Sequence, residues 1–195
     1  LNPHFVFNSL NGIQYFITTQ NTKLALDYFS TFSRLVRFYL KQLGKDTVSL
    51  NNEIDMLHWY LELQKLRYDD SFEYSISIEK KSGDLQETII PSFVILLVFE
   101  NLVEQSNINK VVNQHFNIDI TTTVKKVVLQ IQYHCKSKEQ NSAPKNEYRK
   151  EIMKWEDQVE LLNTVENYGI QHNTSSAFNK RTHTKSIIIE LPNLA

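Results

Sequence analysis

The sequence has 195 residues, enough for one medium domain or two small ones, and its 41% hydrophobic and 22% charged content excludes disorder as the main state. With 21 Lys+Arg against 22 Asp+Glu the formal net charge is -1, so there is no broad positive field and no nucleic-acid partner is expected. Cys135 is the only cysteine, which excludes an internal disulfide and a CxxC zinc site and points to a reducing compartment. The apolar run from Phe93 to Phe99 is far short of the ~20 residues that span a bilayer, and no signal-peptide pattern is present. The sequence opens at Leu1, without Met and inside patterned sequence, so it is expected to be a piece of a longer protein.

From Phe5 to Leu43 apolar residues recur at helical spacing, with polar punctuation near Thr18 to Thr22, which predicts two helical stretches or one interrupted helix. Gly44 is a helix stop, and Ser49 offers an N-cap to a further helix over roughly 50–68. Wide apolar stripes on helices joined by a short turn must be buried, either on each other or on a second copy of the chain. After Asp69-Asp70 the period changes from 3.6 to 2, because Phe72, Tyr74, Ile76 and Ile78 alternate with polar residues, and a half-buried strand there begins a new unit. Pro91 suits the first turn of a helix over about 92–106 whose interior is nearly all apolar. Phe116 to Ile120 and Val127 to Tyr133 read as a hairpin, residues 136–147 as a polar surface loop, and Tyr148 to Tyr168 as an amphipathic helix ending at Gly169. A second polar loop then leads to a terminal strand, Ser186 to Leu191. The order predicts an α+β fold, with helices first and a mixed α/β sandwich after them.

Two places carry potential chemistry. His4 stands just behind Pro3 at a helix start, with Asn8 one turn later on the same face. A neutral imidazole has a free ring nitrogen near pH 7 and can accept a phosphoryl group without prior deprotonation, although residue chemistry alone equally allows a His that caps or packs. Glu100-Asn101 lies at the end of the apolar helix. An Asn oxygen is a hard ligand suited to Mg²⁺ beside substrate phosphates, and a neighbouring carboxylate can orient a water or accept a proton, whereas the simpler reading is a helix leaving into solvent.

Asn2-Pro3-His4-Phe5-Val6-Phe7-Asn8 is followed by Leu35-Val36-Arg37-Phe38-Tyr39, then by Glu53, Tyr60, Leu61 and Arg67, then by Pro91 and Glu100-Asn101. Together these blocks resemble the cytoplasmic kinase region of LytS-type sensor histidine kinases, most strongly from Leu1 to Asn101. The resemblance implies a helical dimerisation and phospho-acceptor region over 1–69 and a GHKL-type (Bergerat) ATP-binding α/β sandwich over 70–195. It implies autophosphorylation of His4 from ATP, Asn101 as the Mg²⁺ ligand, Glu100 as its neighbour in the nucleotide site, and transfer to the receiver domain of a response regulator. A homodimer is implied as well. So is a cytoplasmic location in a membrane-anchored bacterial sensor, the anchor lying upstream of this chain.

The sequence departs from the family pattern in two places. Where Ala-Ile-Lys-His-Gly usually follows the Glu-Asn pair, this chain has Leu102-Val103-Glu104-Gln105-Ser106, and an anion facing a polyphosphate in place of a cation is expected to weaken ATP affinity. The Asp-x-Gly-x-Gly motif expected after the strand Val127 to Tyr133 is replaced by His134-Cys135-Lys136-Ser137-Lys138, with no Gly to let backbone approach a nucleotide. Lys136, Lys138 and Lys145 are alternative phosphate contacts or a solvated charged loop. Three readings follow: a divergent kinase, a dimeric pseudokinase scaffold that no longer binds ATP productively, and an interaction module in which His4 carries no phosphate.

Overall fold

The computed structural model describes residues 1–81, 83–105, 114–135, 154–178 and 183–195. The region expected to hold the nucleotide-binding glycines, with Lys136, Lys138 and Lys145, lies outside the described residues, as does the first part of the helix expected from Tyr148.

The first two helices are α1 (Pro3–Thr18) and α2 (Thr22–Gln42). Asn2 caps α1 by accepting the His4 amide, and Asn21 caps α2 by accepting the Leu24 amide, so the polar punctuation near Thr18 to Thr22 is a chain reversal. The helices pack through Phe16 on Tyr28, with ring centroids 5.9 Å apart. Gly12 faces the Tyr28 ring, where a Cβ would make ordinary contact at 3.4 Å. Gly44, with φ +83°, turns the chain into the short strand β1 (Thr47–Ser49), from which Ser49 caps α3 (Leu50–Tyr68) through the Asn52 amide. Helix α3 is buried on most sides, with Leu50, Met56, Leu57, Leu61 and Leu63 sealed from solvent. Phe5 of α1 inserts between α2 and α3, its ring 6.3 Å from Phe32 and 5.0 Å from Tyr60.

Strand β2 (Phe72–Lys80) follows as the change of period predicts. The helix expected from Pro91 begins later. Ile89–Pro91 forms a strand, β3, antiparallel to β1, and the helix α4 runs over Val94–Gln105. Pro91 ends an edge strand, where its missing N–H costs no ladder bond. Phe93 then turns the chain with φ +64°, a left-handed conformation unusual for an aromatic residue, and its carbonyl accepts the Leu97 amide.

The remaining strands are β4 (Gln114–Thr122), β5 (Lys126–Cys135), β6 (Gln171–Phe178) and β7 (His183–Pro192), with helix α5 (Trp155–Glu166) before β6. They build a five-stranded sheet in the order β2-β4-β5-β7-β6, in which only the β2–β4 pair is parallel. The hairpin read from alternation is β4–β5. Strand β6 corrects the expected polar loop: residues 171–177 are all exposed, so an edge strand with no core-facing side chains leaves no hydrophobic period to read. Phe116, Ile118 and Ile120 of β4, Leu129 and Ile131 of β5, and Ile187 and Ile189 of β7 are buried, while Asn117 and Asp119 are exposed. The α+β class and the order of helices before sheet are as expected. Among the described residues no helix is long and apolar enough to cross a membrane.

The two parts are joined by a buried carboxylate. Glu53 of α3 is fully buried and accepts the Phe93 amide at 2.6 Å, holding the start of α4. Burial pushes its carboxyl up to about 7, against the downward pull of the Phe93, Leu96 and Ile95 amides. The folded chain therefore keeps a proton that the unfolded chain releases near its ordinary value of 4.5. This group consequently subtracts stability as pH rises from about 4.5 and does so fully above about 7. One pKa unit is about 1.4 kcal/mol, so the change amounts to a few kcal/mol. Urea unfolding at pH 5 and at pH 8 is expected to show wild type losing stability relative to Glu53→Gln as pH rises; equal losses in the two proteins would contradict this account.

Candidate functional site

The site is assembled from the first turn of α1 and the C-terminal half of α4. Asn2 and Pro3 start α1, while Phe5 on the opposite side is 2% exposed and anchors the turn in the core, so His4 faces outward with 57% of its side chain exposed. Helix α4 is apolar over Val94 to Phe99 and then presents Glu100, Asn101 and Glu104. Glu100 and Asn101 are 7% and 4% exposed, which rules out a helix end running into solvent.

Each of these groups has a definite environment. Glu100 Oε1 accepts the Asn2 amide at 3.0 Å, tying α4 to the start of α1. Burial pushes the Glu100 carboxyl up, the negative charge of Glu104 adds to the push, and the Asn2 amide opposes it. Asn101 donates through Nδ2 to the Leu97 carbonyl at 3.1 Å, and its Oδ1 is buried with no hydrogen-bond partner among the described residues. A buried carbonyl oxygen without a donor is costly in isolation and is the group a hard cation would satisfy. The residues present therefore fit a Mg²⁺-bound polyphosphate at this oxygen.

A cavity of about 660 Å³ opens beside these residues, lined by Asn2, Pro3, Glu100 and Asn101 together with Tyr39, Phe93, Leu161 and Leu162. Its walls are mostly apolar with a few polar groups among them, as in sites that take small organic ligands. Among the described residues no group of acidic, His or Cys side chains is arranged to hold a metal by itself. Asn101 would thus act as one ligand beside a bound phosphate, in keeping with how Mg²⁺ is usually held.

The structure brings the first turn of α1 against the C-terminal half of α4, about a hundred residues away in the sequence: Asn2 and Pro3 line the cavity with Glu100 and Asn101, and the His4 ring lies outside that lining. It also brings in a residue that the sequence marks only as a departure. Glu104 Oε1 lies 2.7 Å from His4 Nδ1, while Asn8 Nδ2 lies 3.1 Å from Nδ1 and 3.3 Å from Nε2. The pairing of His4 with Asn8 follows from helical spacing. Its pairing with Glu104 does not, and the only signal was an acid at a position where the resembled family carries Lys.

Comparison with known proteins agrees with the region that holds His4. Residues 1–72 match the family model described as histidine kinase. The sensor protein LytS of Staphylococcus haemolyticus is 30% identical over 132 residues, covering 64% of this chain and 22% of that protein. The sensor histidine kinase/phosphatase LytS of Staphylococcus aureus is 29% identical over 121 residues, covering 62% and 20%. The chain thus spans about a fifth of the length of the curated relatives it matches. Among solved structures, Acinetobacter baumannii histidine kinase AdeS aligns over 98% of this chain and 96% of its own at 9% identity, with a TM-score of 0.48, too low to establish a common fold. The likeness to histidine kinases thus covers the first 72 residues by family model, and the similarity to LytS-type sensor histidine kinases extends over more than three fifths of the chain.

Proposed function

We propose that this chain is the kinase region of a two-component sensor, with His4 as phospho-acceptor and Asn101 as a ligand of the Mg²⁺ that accompanies ATP. The observation that carries the proposal is convergence. Glu100 and Asn101, both buried on α4, line a cavity of about 660 Å³ together with Asn2 and Pro3, and the next residue, His4, presents an exposed imidazole to Glu104 on the last turn of the same helix. In this reading residues 1–69 form the dimerisation and acceptor region and residues 70–195 the GHKL-type nucleotide-binding part. The chain would lie on the cytoplasmic side of a membrane-anchored sensor and pass its phosphate to the receiver domain of a response regulator.

Bound Mg²⁺ supplies charge neutralisation on the phosphates. The chain's own residues do the rest: Asn101 Oδ1 holds the cation, and Glu100, locked to the Asn2 amide, keeps the start of α1 against the cavity. Phe5 prevents the acceptor turn from leaving, because its ring is packed between Phe32 and Tyr60.

With radiolabelled ATP and Mg²⁺ the chain is expected to become labelled. His4→Gln should lose the label while still binding nucleotide, and Asn101→Ala should lose Mg²⁺-dependent binding in calorimetry. No nucleotide binding by wild type at millimolar ATP would leave the scaffold reading in its place.

The proposed homodimer rests on the outer faces of α1 and α2. Phe7 and Phe29 are 67% and 56% exposed, and Tyr15, Ile17, Leu26 and Leu40 are exposed beside them. An apolar surface of this extent on two adjacent helices is suited to burial against a second copy. Light scattering is expected to give a dimer for wild type and a monomer for the double variant Leu26→Asp, Phe29→Asp; a wild-type monomer across micromolar concentrations would contradict the assignment.

A further inference from the structure

We propose that Glu104 is a positioning residue that fixes the His4 imidazole in its Nδ1–H tautomer and so directs phosphorylation to Nε2. This assignment rests on His4 being the acceptor, and it gives a role to the acid that replaces the family's cation.

Glu104 Oε1 and His4 Nδ1 are 2.7 Å apart, a short, charge-assisted distance. A carboxylate can only accept, so the hydrogen between them belongs to Nδ1, and in the neutral ring the lone pair is then on Nε2. The amide nitrogen of Asn8 lies 3.1 Å from Nδ1 and 3.3 Å from Nε2; with the hydrogen on Nδ1 only the longer approach can be a hydrogen bond, so the tautomer is set by Glu104 and not by Asn8. The contact at Nε2 is long and exposed, so the lone pair is open to an incoming electrophile. Glu104 is 19% exposed and fixed on the last turn of α4, whereas His4 is 57% exposed, so the carboxylate is the held partner and the ring is the oriented one. Nucleophile, orienting acid and rigid support are thus arranged as in other sites where one ring nitrogen is steadied so that the other reacts.

The transfer balances as follows. Nε2 attacks the phosphorus of a phosphoric anhydride, the Nε2–P bond forms, and the bond from phosphorus to the leaving oxygen breaks with its electron pair departing on that oxygen. The ring becomes cationic and keeps its Nδ1 proton in the hydrogen bond to Glu104, whose negative charge offsets the positive charge as it develops. A Lys at position 104 could only donate, which would favour the opposite tautomer and add positive charge to a ring that must become cationic. Glu104 therefore acts on the acceptor as well as on the polyphosphate that it was expected to repel.

The experiment uses the full 195-residue chain and potassium phosphoramidate, a donor that phosphorylates histidine without any nucleotide site, ammonia being the leaving group. Long-range ¹H–¹⁵N spectra assign the His4 tautomer, with His4→Gln identifying the signals, and ³¹P spectra separate Nε2- from Nδ1-phosphohistidine. Wild type is expected to show the Nδ1–H tautomer and mostly the Nε2 isomer. In Glu104→Gln the ratio of Nε2 to Nδ1 product should fall about tenfold, the scale of one charge-assisted hydrogen bond, and Glu104→Asp should recover part of it. An Nε2–H or doubly protonated His4 in wild type, or an isomer ratio unmoved by Glu104→Gln, would overturn the assignment. Parallel labelling with ATP keeps the two ideas apart. Nε2-selective, Glu104-dependent labelling by phosphoramidate with none from ATP defeats the kinase reading alone. Labelling of His4 from ATP with an unmoved isomer ratio defeats the Glu104 assignment alone.

Discussion

The carboxylate of Glu53 sits where α3 meets the start of α4, out of contact with water, and accepts the amide of a residue whose backbone is left-handed. A helix start buried in protein has no water to satisfy its first N–H groups, so it requires an internal acceptor. From that fixed point the helix runs through Val94, Ile95, Val98 and Phe99, all buried, and delivers Glu100, Asn101 and Glu104 at the first turn of α1. The position of the site is thus set at the opposite end of α4 from the site itself.

The first turn of α1 is held in a comparable way from several directions. Asn2 caps the helix with its side chain and gives its own amide to Glu100, while Phe5 is buried between two aromatic rings. His4 stands between these two anchors and is itself exposed. Two acids on α4 therefore meet this turn, one through the backbone and one through the imidazole. The negative charge they bring is unfavourable to a polyphosphate and favourable to a ring that becomes cationic. In the proposed phosphoryl transfer this trade would weaken one half of the reaction and assist the other.

Much of the architecture was legible in the sequence because burial is periodic there. Helix α3 was read over 50–68 and observed as Leu50–Tyr68, with Ser49 as its cap, and the β4–β5 hairpin follows from the alternation of Phe116, Ile118 and Ile120 against Val127, Leu129 and Ile131. Where burial is not periodic, the reading failed. Strand β6 has exposed residues throughout its described side chains, and β1 and β3 are three residues each, too short for any period. Pro91 misled in a different way: its fixed φ suits both a helix start and the end of an edge strand, and only pairing with Thr47 decided between them. In the site, His4, Glu100 and Asn101 were legible as residue types in a motif, whereas the link between His4 and Glu104 was not.

The α+β class, the helical first third, the cap and stop residues, and the resemblance that points to His4 and Asn101 are all legible in the sequence. These are properties of local pattern, written over spans of a few turns or a few strand residues. Tertiary packing settles what local pattern leaves open: that Glu100 and Asn101 are buried rather than leaving into solvent, that Asn101 Oδ1 has no donor among the described residues, and that Glu104 grips the His4 ring. The physical reason is the same in each case. A side chain's burial and its hydrogen-bond partner depend on groups about a hundred residues away, and no local pattern encodes which of them the packing of α1 on α4 will bring within 3 Å.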